Sequence, residues 1–341
     1  MYLVKSIPLG LPGEPQSSGK IWKKNLANSS IVKIATGYIT EDAIIEIKKI
    51  TECNPKPNFE LFIGMHYFDL FTKTQYDAVN ELNTYLLNNN RGHVFLSSKT
   101  KFHGKIYSFS TETTCFAAAI GSSNLGSFVG TSTDLYEVDC CFDKVEECTI
   151  LDSQISQLIT SLGTPFNDLQ IDNFDERSSI LDGEYGVEKA IDLLSRLFQS
   201  KTEISFSFPL KTEPKSNLNA YFGKGRITKS GFEQPRPWYE VEVIVPSEIT
   251  SQNGYPVGTV FKVCTEDGWM FDCYANGDYA KNLRSANDLK ILGKWIKGRM
   301  EAEGALTIGQ PITESTLDKF GRHNLRLTKT SIDEIWLLEM F

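Results

Sequence analysis

The sequence lacks any run of eighteen apolar residues, so nothing in it predicts a membrane-spanning helix. Its N-terminal segment also lacks the long apolar stretch of a secretory signal and contains proline and glycine. Seven cysteines are present, but none forms a C-x-x-C pair, which removes the usual ligand spacing of a zinc site. We therefore expect a cytoplasmic chain that uses no membrane and keeps its thiols reduced and mostly buried.

Net positive charge is also missing, since the formal charge at pH 7 is −8. Taken alone, this value argues against a nucleic-acid partner. The charges are unevenly distributed, however. Acidic residues concentrate between Asp139 and Lys189, whereas basic residues outnumber acidic ones from Lys201 to Met300. Such asymmetry permits a local DNA-binding face on an acidic protein.

The order of apolar patterns predicts an α/β domain followed by a mainly β domain. Strand-like runs at 30–40, 58–66, 93–97, 102–108, 115–121 and 135–142 alternate with helical spacing at 41–51, 75–88 and 149–162. This alternation favours a mixed sheet with helices on its faces. From Ile204 onward, short β-type runs are separated by Gly, Pro and Asn clusters, which indicates a barrel-like domain. We predict a first domain at 1–175, a linker region at 176–199 and a second domain at 200–341.

Histidine is scarce, with four in the chain, and only His103 stands two residues before a lysine, Lys105. Soon afterwards comes G-S-S-N, which contains Ser122 and Asn124. Residues i and i+2 of a strand face the same side, so His103 and Lys105 are expected to point the same way. Ser122 and Asn124 would also share a side if their strand continues through them. A neutral imidazole attacks phosphorus, and lysine and amide groups stabilise charge on phosphoryl oxygens. The set predicts phosphoryl transfer that needs no metal.

The combination of H-x-K and G-S-x-N resembles the phospholipase D superfamily, whose general pattern is H-x-K-x4-D followed by G-S-x-N. Ser110 replaces the aspartate of that pattern, which disfavours the lipid-hydrolysing branch and leaves the nuclease branch. Restriction endonucleases of this superfamily carry a glutamate in the strand after G-S-x-N, and Glu137 matches it. The opening strand, which ends at Gly37 and Tyr38, also resembles the first strand of the family. Gly37 would let the backbone approach the site closely.

The superfamily resemblance implies a mechanism with two histidines, in which one attacks phosphorus and the other protonates the leaving oxygen. Because this chain has one H-x-K, two chains must meet at the site, and we expect a homodimer formed through the nuclease domain. Glu137 would orient His103 or balance its charge. The expected catalytic residues are His103, Lys105, Asn124, Glu137 and Ser122, with no metal ligands. Hydrolysis would pass through a covalent phosphohistidine and require no divalent metal or other cofactor.

The C-terminal half resembles the DNA-recognition domain of NgoFVII-type restriction endonucleases, which fuse such a nuclease to a plant B-three-like pseudobarrel. The resemblance implies two arms that grip the major groove, here Pro209–Arg236 and Asp267–Ser285. Basic, amide and aromatic side chains in these arms suit contacts with phosphate and base edges. The candidates are Lys211, Lys215, Asn217, Lys224, Arg226, Arg236, Trp269, Asn276, Tyr279, Lys281, Asn282 and Arg284. The implied activity is that of a type II restriction endonuclease on double-stranded DNA, at a short GC-rich site such as GCSGC.

Two other functions stay open. A phospholipase D-type phosphodiesterase acting on lipid or other substrates would use the same His103 and Lys105 but leave the basic second domain unexplained. A non-catalytic DNA-binding module would leave both residues without a purpose. A nucleotide-binding loop is not predicted, because Gly13–Lys20 has one spacer residue too many and Ile21 replaces the required hydroxyl. An accessory ATPase or helicase subunit, if one is needed, would be a separate partner.

Overall fold

The computed structural model describes every residue of the chain except 8, 11, 133–134, 177–178, 214–216 and 333. The chain divides into two compact units, of which the first comprises Met1–Arg177 and Gly225–Pro235. The second comprises Ser178–Lys224 and Arg236–Phe341. A helix from the predicted linker region therefore belongs to the second unit, and a short piece of the predicted first arm belongs to the first unit.

The first unit is built around a mixed sheet that has nine strands among the described residues, in the order β2-β1-β8-β7-β6-β3-β4-β5-β9. The strands are β1 (Tyr2–Lys5), β2 (Gln16–Ser17), β3 (Ile31–Thr36), β4 (Asn58–Ile63), β5 (Gly92–Ser97), β6 (Ile106–Ser110), β7 (Cys115–Gly121), β8 (Val138–Phe142) and β9 (Gly163–Pro165). Strands β3, β4 and β5 are mutually parallel, whereas β6 runs antiparallel to both β3 and β7. The predicted mixed α/β sheet is thus confirmed.

Helices accompany this sheet as the apolar spacing predicted. They are α1 (Ser18–Leu26), α2 (Glu41–Cys53), α3 (His66–Asp69), α4 (Lys73–Asn88), α5 (Leu125–Val129) and α6 (Val145–Leu162). Helix α4 begins with a capping box, because Thr72 and Gln75 each accept the other's backbone N–H through a side-chain oxygen, both at 3.1 Å. Trp22 of α1 packs edge-on against Phe109 and Phe128 in the buried core. Ile155 of α6 packs instead with Ala35, Phe62 and Ile106, so helices cover the sheet on both faces.

Strand boundaries near the predicted motifs differ from the sequence prediction. Strand β6 begins at Ile106 rather than at 102, because the ring of Phe102 folds over Gly104, where a Cβ would lie only 2.5 Å from the ring. Strand β7 ends at Gly121, as predicted, so the condition under which Ser122 and Asn124 would share one strand face is not met. The chain turns there instead, and Asn124 becomes the N-cap residue of α5. The motif residues consequently lie just beyond the strands rather than within them.

The second unit contains an eight-stranded sheet among the described residues, with the path β11-β18-β19-β15-β16-β17-β14 and with β10 paired to β16. In chain order the strands from β10 on are β10 (Glu188–Lys189), β11 (Lys201–Pro209), β12 (Arg226–Ile227), β13 (Glu233–Gln234), β14 (Val243–Ile244), β15 (Val260–Thr265), β16 (Trp269–Asn276), β17 (Asn282–Ser285), β18 (Asn324–Thr330) and β19 (Ile335–Met340). The helices are α7 (Ile191–Gln199), α8 (Ser247–Thr250), α9 (Ile291–Ala302) and α10 (Glu314–Phe320). The described pairings follow an open path, so the pseudobarrel stays a prediction.

The core of the second unit contains a buried lysine. The Nζ atom of Lys297 lies 3.9 Å from the ring centroid of Trp238 and donates to the Trp238 carbonyl at 2.6 Å. Burial lowers the pKa of Lys297 to about 7, although the nearby carboxylate of Glu301 opposes the shift. The same carboxylate accepts from the Trp238 indole at 2.8 Å and from Tyr239 at 2.7 Å. A polar network is thus enclosed by aromatic rings.

Among the described strands, β12 and β13 pair with each other alone and form a hairpin that belongs to the first unit. Its anchor is Asn54, directly after α2, which donates to the Glu233 carbonyl at 3.0 Å and accepts the Glu233 N–H at 2.9 Å. Gln234 adds a bond of 3.0 Å to Glu46 of α2. These contacts explain why a segment from the predicted first arm is part of the first unit.

No helix in the described part of the chain combines the length and apolarity that a bilayer crossing requires. All seven cysteines are free thiols.

Candidate active site

Four strand ends meet at one edge of the first sheet. Ala35 near the end of β3 pairs with Ile106 at the start of β6, and Ile106 pairs with Ile120 near the end of β7. Gly121 then pairs with Asp139 at the start of β8. Because neighbouring strands are antiparallel, the segments just beyond these ends converge. They contain the predicted His103, Lys105, Asn124, Glu137 and Ser122, together with Gly37 and Tyr38.

His103 and Lys105 are in direct contact. The Nζ atom of Lys105 lies 3.2 Å from His103 Nδ1 and 3.1 Å from Nε2, and it donates to the His103 carbonyl at 2.8 Å. The imidazole is exposed, whereas Lys105 is buried with 6% of its surface accessible. Burial lowers the pKa of Lys105, and the charge of Glu137 raises it in opposition. An ammonium group therefore stands beside an accessible imidazole, with Glu137 close enough to favour its charged form.

Gly37 fits closely against two of the predicted catalytic residues. A Cβ at this position would lie 3.2 Å from His103 Cδ2 and 3.5 Å from Asn124 Oδ1. The next residue, Tyr38, donates its backbone N–H to Asn124 Oδ1 at 3.1 Å. Because this bond occupies the amide oxygen, it turns the NH2 group of Asn124 outward as a hydrogen-bond donor. The end of β3 thus orients both the imidazole and the amide.

The turn that carries Asn124 is fixed by a pair that the sequence analysis missed. Asp139 accepts from Ser123 N at 3.0 Å and from Ser123 Oγ at 2.5 Å. Burial raises the pKa of Asp139, and the bonds from Ser123 counter that rise. Tyr107 adds a bond of 2.7 Å from its hydroxyl to the Ser123 carbonyl. Ser123 is the unspecified position of G-S-x-N, so the motif gave no signal for it.

Ser122 and Glu137 are held by backbone partners. Ser122 Oγ accepts from the Val138 N–H at 3.0 Å, so this hydroxyl extends the pairing with β8. Glu137 is held from the other side by Ser6, directly after β1, whose Oγ accepts the Glu137 N–H at 2.8 Å and whose N–H donates to the Glu137 carbonyl at 3.0 Å. The role of Ser6 was also missed, since the sequence predicts no element in this part of the chain. Direct contact of Ser122 with a substrate stays a prediction.

A second histidine, His66, lies near the site but is engaged by the backbone. Its Nε2 accepts the Ile39 N–H at 3.2 Å, and its Nδ1 lies 2.9 Å from the Leu70 carbonyl. The ring is 4% exposed and stacks on Phe71 at 4.6 Å. Tyr38 touches both histidines edge-on, with its centroid 5.4 Å from that of His66 and 5.7 Å from that of His103. His66 is therefore a packed imidazole whose two nitrogens both face backbone groups.

Three of the predicted DNA-binding residues share one face of the second sheet. Arg284 pairs with Tyr274, and Asn282 pairs with Asn276, so two rows of polar side chains cross β16 and β17. In the loop between these strands, Tyr279 is 82% exposed and has a left-handed backbone with φ of 58°. A bulky residue in this conformation is strained, which fits a loop shaped for contact. Lys281, in the same loop, is partly exposed.

The remaining predicted DNA-binding residues are distributed differently. Trp269 is 8% exposed and lies on the buried side of β16, so a contact of its ring with DNA stays a prediction that this burial disfavours. Arg236 forms an ion pair with Glu240, with Nε 2.9 Å from Oε1. Lys224 and Arg226 are exposed, the latter on the hairpin of the first unit, and Lys211 and Asn217 are partly exposed. Lys215 lies outside the described residues.

Metal-binding side chains do not cluster in the part of the chain that the structure describes, where no group of three His, Cys, Asp or Glu is arranged to hold an ion. Whether catalysis uses a metal therefore stays a question for experiment.

Comparison with known families identifies the class of protein to which the chain belongs. The N-terminal PLD domain of the NgoFVII restriction endonuclease matches residues 18–170. The NgoFVII C-terminal B3-like DNA-binding domain matches residues 196–331. The chain thus combines a phospholipase D-type nuclease domain with a DNA-binding domain. It belongs to the NgoFVII restriction endonuclease family, in the domain order that the sequence predicted. None of the curated proteins compared with the chain matches it.

Proposed function

We propose that this protein is a type II restriction endonuclease that hydrolyses double-stranded DNA at a short GC-rich site, with His103 as nucleophile and without a divalent metal. The observation that carries the proposal is the contact of Lys105 with the exposed imidazole of His103, at 3.1 Å and 3.2 Å from its two nitrogens. The amide of Asn124, oriented by Tyr38, adds a second donor for phosphoryl oxygens. Localised donors of this kind stabilise the charge that develops on phosphorus.

The proposed reaction has two steps. In the first, a ring nitrogen of His103 attacks phosphorus, a P–N bond forms, and the P–O bond to one nucleoside breaks. The partner subunit's His103 gives its proton to the leaving oxygen. In the second, this now neutral imidazole takes a proton from water, the oxygen of that water attacks phosphorus, and the P–N bond breaks. Both histidines return to their starting protonation states, and coupled titration of two neighbouring imidazoles permits such a pair.

The second histidine must come from another chain. His66 lies in the same unit and shares its neighbour Tyr38 with His103, but its nitrogens face the Ile39 N–H and the Leu70 carbonyl. To act as the acid, this ring would have to carry an extra proton on Nε2, which breaks the bond from the Ile39 N–H and places a charged, 4% exposed imidazole inside the fold before the transfer. A second copy that brings its own His103 avoids this cost. The proposal therefore includes a homodimer through the nuclease domain.

An apolar surface beside Glu137 is suitable for that second copy. Ile120, Leu135, Tyr136 and Val138 are 39%, 56%, 44% and 41% exposed, although each is a large hydrophobic residue. They lie on the segments that carry Ser122 and Glu137. Contiguous exposed apolar side chains next to a polar site are typical of an interface. Contact there would bring two catalytic edges together.

The decisive experiment is cleavage of plasmid DNA in excess EDTA by wild-type protein, His103→Ala and His93→Ala. The last variant is a matched control, since His93 is partly exposed on β5 of the same unit. We expect discrete fragments from the wild type and the control, and none from His103→Ala. Quenching with detergent at alkaline pH during turnover should trap a phosphoramidate on His103, because the P–N bond is labile in acid. Cleavage that requires magnesium, or full activity of a protein that light scattering shows to be monomeric, would contradict the proposal.

The alternatives predict different results in the same assay. A phosphodiesterase for lipids would hydrolyse phosphatidylcholine through His103 and leave the plasmid intact. A non-catalytic module would retain DNA of one sequence without cutting it. The match to a DNA-binding domain over residues 196–331 favours DNA as the substrate. If cleavage needs ATP, we propose that a separate ATPase or helicase subunit supplies that activity.

A further inference from the structure

Glu242 is an acidic side chain surrounded by residues that were predicted to bind DNA. Its Oε1 accepts from Arg284 Nη1 at 3.4 Å, and its Oε2 accepts from Asn217 Nδ2 at 3.5 Å. The pairing of β14 with β17 joins Val243 to Leu283 and Ile244 to Asn282. One step further along this register, Glu242 stands opposite Arg284. The fold itself therefore holds this carboxylate beside that guanidinium.

The carboxylate also lines a polar cup in the second unit. The cup has a volume of about 260 Å³ and is lined by Asn217, Ala220, Gly223, Lys224, Arg236 and Glu242. The side chains of Glu242 and Arg284 retain 20% and 28% of their exposure. Both side chains are therefore partly accessible while they remain within hydrogen-bond distance of each other.

An acidic group on a DNA-contacting surface needs a chemical reason, because it repels phosphate. A carboxylate only accepts hydrogen bonds, and in the major groove the amino group of cytosine is the donor that it matches. A guanidinium instead donates to O6 and N7 of guanine. In a G·C pair the guanine O6 and the cytosine amino group are hydrogen-bonded to each other, at about 2.9 Å. An Arg–Glu pair side by side is thus complementary to one G·C edge, with the donor Arg facing guanine and the acceptor Glu facing cytosine.

The two side chains need not separate in order to bind. A guanidinium has five N–H donors and a carboxylate has about four acceptor sites, so one mutual bond leaves most of this capacity unused. The bond also lowers the entropy lost on binding, since both side chains are already ordered.

We propose that Glu242 and Arg284 together read one G·C base pair of the target, with Glu242 accepting from the cytosine amino group. This inference rests on the proposed function and specifies it, by naming the residue that selects cytosine.

The first test selects bound duplexes from a randomised pool, using the full-length wild type, Glu242→Gln and Glu248→Gln. Glu248 is an exposed glutamate on α8, so its variant has the same charge change away from the cup. We expect the wild type and the control to select one motif. Glu242→Gln should keep that motif except at one G·C position, where its preference falls about 5- to 150-fold, the range for one lost base contact.

The second test needs no variant and therefore does not depend on folding. Wild-type affinity is measured for the selected duplex with each cytosine replaced in turn by N4-methylcytosine or 5-methylcytosine. One position should lose affinity with the N4-methyl base and keep it with the 5-methyl base. An unchanged motif for folded Glu242→Gln, or no position with this pattern, would overturn the inference while leaving the nuclease proposal intact. A wild type that selects no motif would instead refute the proposed sequence-specific function.

Discussion

Replacing Gly37 by alanine tests whether the site depends on close packing. The added Cβ would lie 3.2 Å from His103 Cδ2, so the imidazole must give way by a few tenths of an ångström. The distances of 3.4 Å to His103 Cα and 3.5 Å to Asn124 Oδ1 are ordinary van der Waals contacts. A displacement of about 1 Å costs roughly a hundredfold in rate, so this smaller shift should slow cleavage roughly three- to tenfold. The free energy of unfolding should change little, because the imidazole that must move is exposed.

The assay is single-turnover cleavage of a DNA duplex at saturating protein, with affinity for the same duplex measured in parallel. Gly19→Ala is the matched control, since its Cβ would meet Val129 O at 3.3 Å in the same unit but away from His103. Affinity should stay constant in both variants, and only Gly37→Ala should lose rate. Equal rates for the two variants, or a loss of affinity in Gly37→Ala, would show that crowding at His103 is not what limits the reaction.

Three other substitutions have measurable consequences. In Glu137→Gln, Lys105 loses the negative charge that raises its pKa. The alkaline decline of the cleavage rate should therefore move to lower pH. A pH profile identical to that of the wild type would exclude a charge interaction between Glu137 and Lys105. Asp139→Ala leaves the Ser123 N–H and hydroxyl without their acceptor and should lower the free energy of unfolding in urea by about 1–3 kcal/mol. Lys297 has a folded pKa of about 7 against 10.5 for the free side chain, so between these values only the unfolded chain binds its proton. Across this pH window the free energy of unfolding of the wild type should therefore rise by about 1.4 kcal/mol per pH unit relative to that of Lys297→Met. If the two free energies change in parallel with pH, the pKa shift is refuted.

Short-range patterns in the sequence predicted the composition of the site. The spacing of H-x-K and G-S-x-N identified His103, Lys105 and Asn124, and the structure places these three at one sheet edge. The stated reason was partly wrong, because His103 and Lys105 precede β6 rather than lying on it, whereas Asn124 follows the predicted end of β7. Antiparallel pairing of β6 with β7 still brings the motif residues together. They were therefore correctly predicted to be neighbours although the start of β6 was placed too early.

Long-range partners were not predictable in the same way. Ser6 is hydrogen-bonded to Glu137, which is 131 positions away in the sequence, and Asn54 is hydrogen-bonded to Glu233, which is 179 positions away. Neither serine nor asparagine carries a local pattern that indicates such a contact, since each depends on which strands and loops become neighbours. Glu242 was missed for another reason. The search of the second domain looked for basic, amide and aromatic residues, and an acid that accepts from a base edge fails that criterion.

The hairpin of β12 and β13 has a consequence for engineering chimeric enzymes. Because the hairpin belongs to the first unit while the chain on both sides of it belongs to the second, no single junction separates the two units. A graft that replaces everything after residue 178 with the corresponding part of another enzyme would also replace the hairpin, and the new loop would face a foreign Asn54 and Glu46. Transplants of target specificity should therefore retain residues 225–235 from the recipient, so that only the surface that touches bases is exchanged.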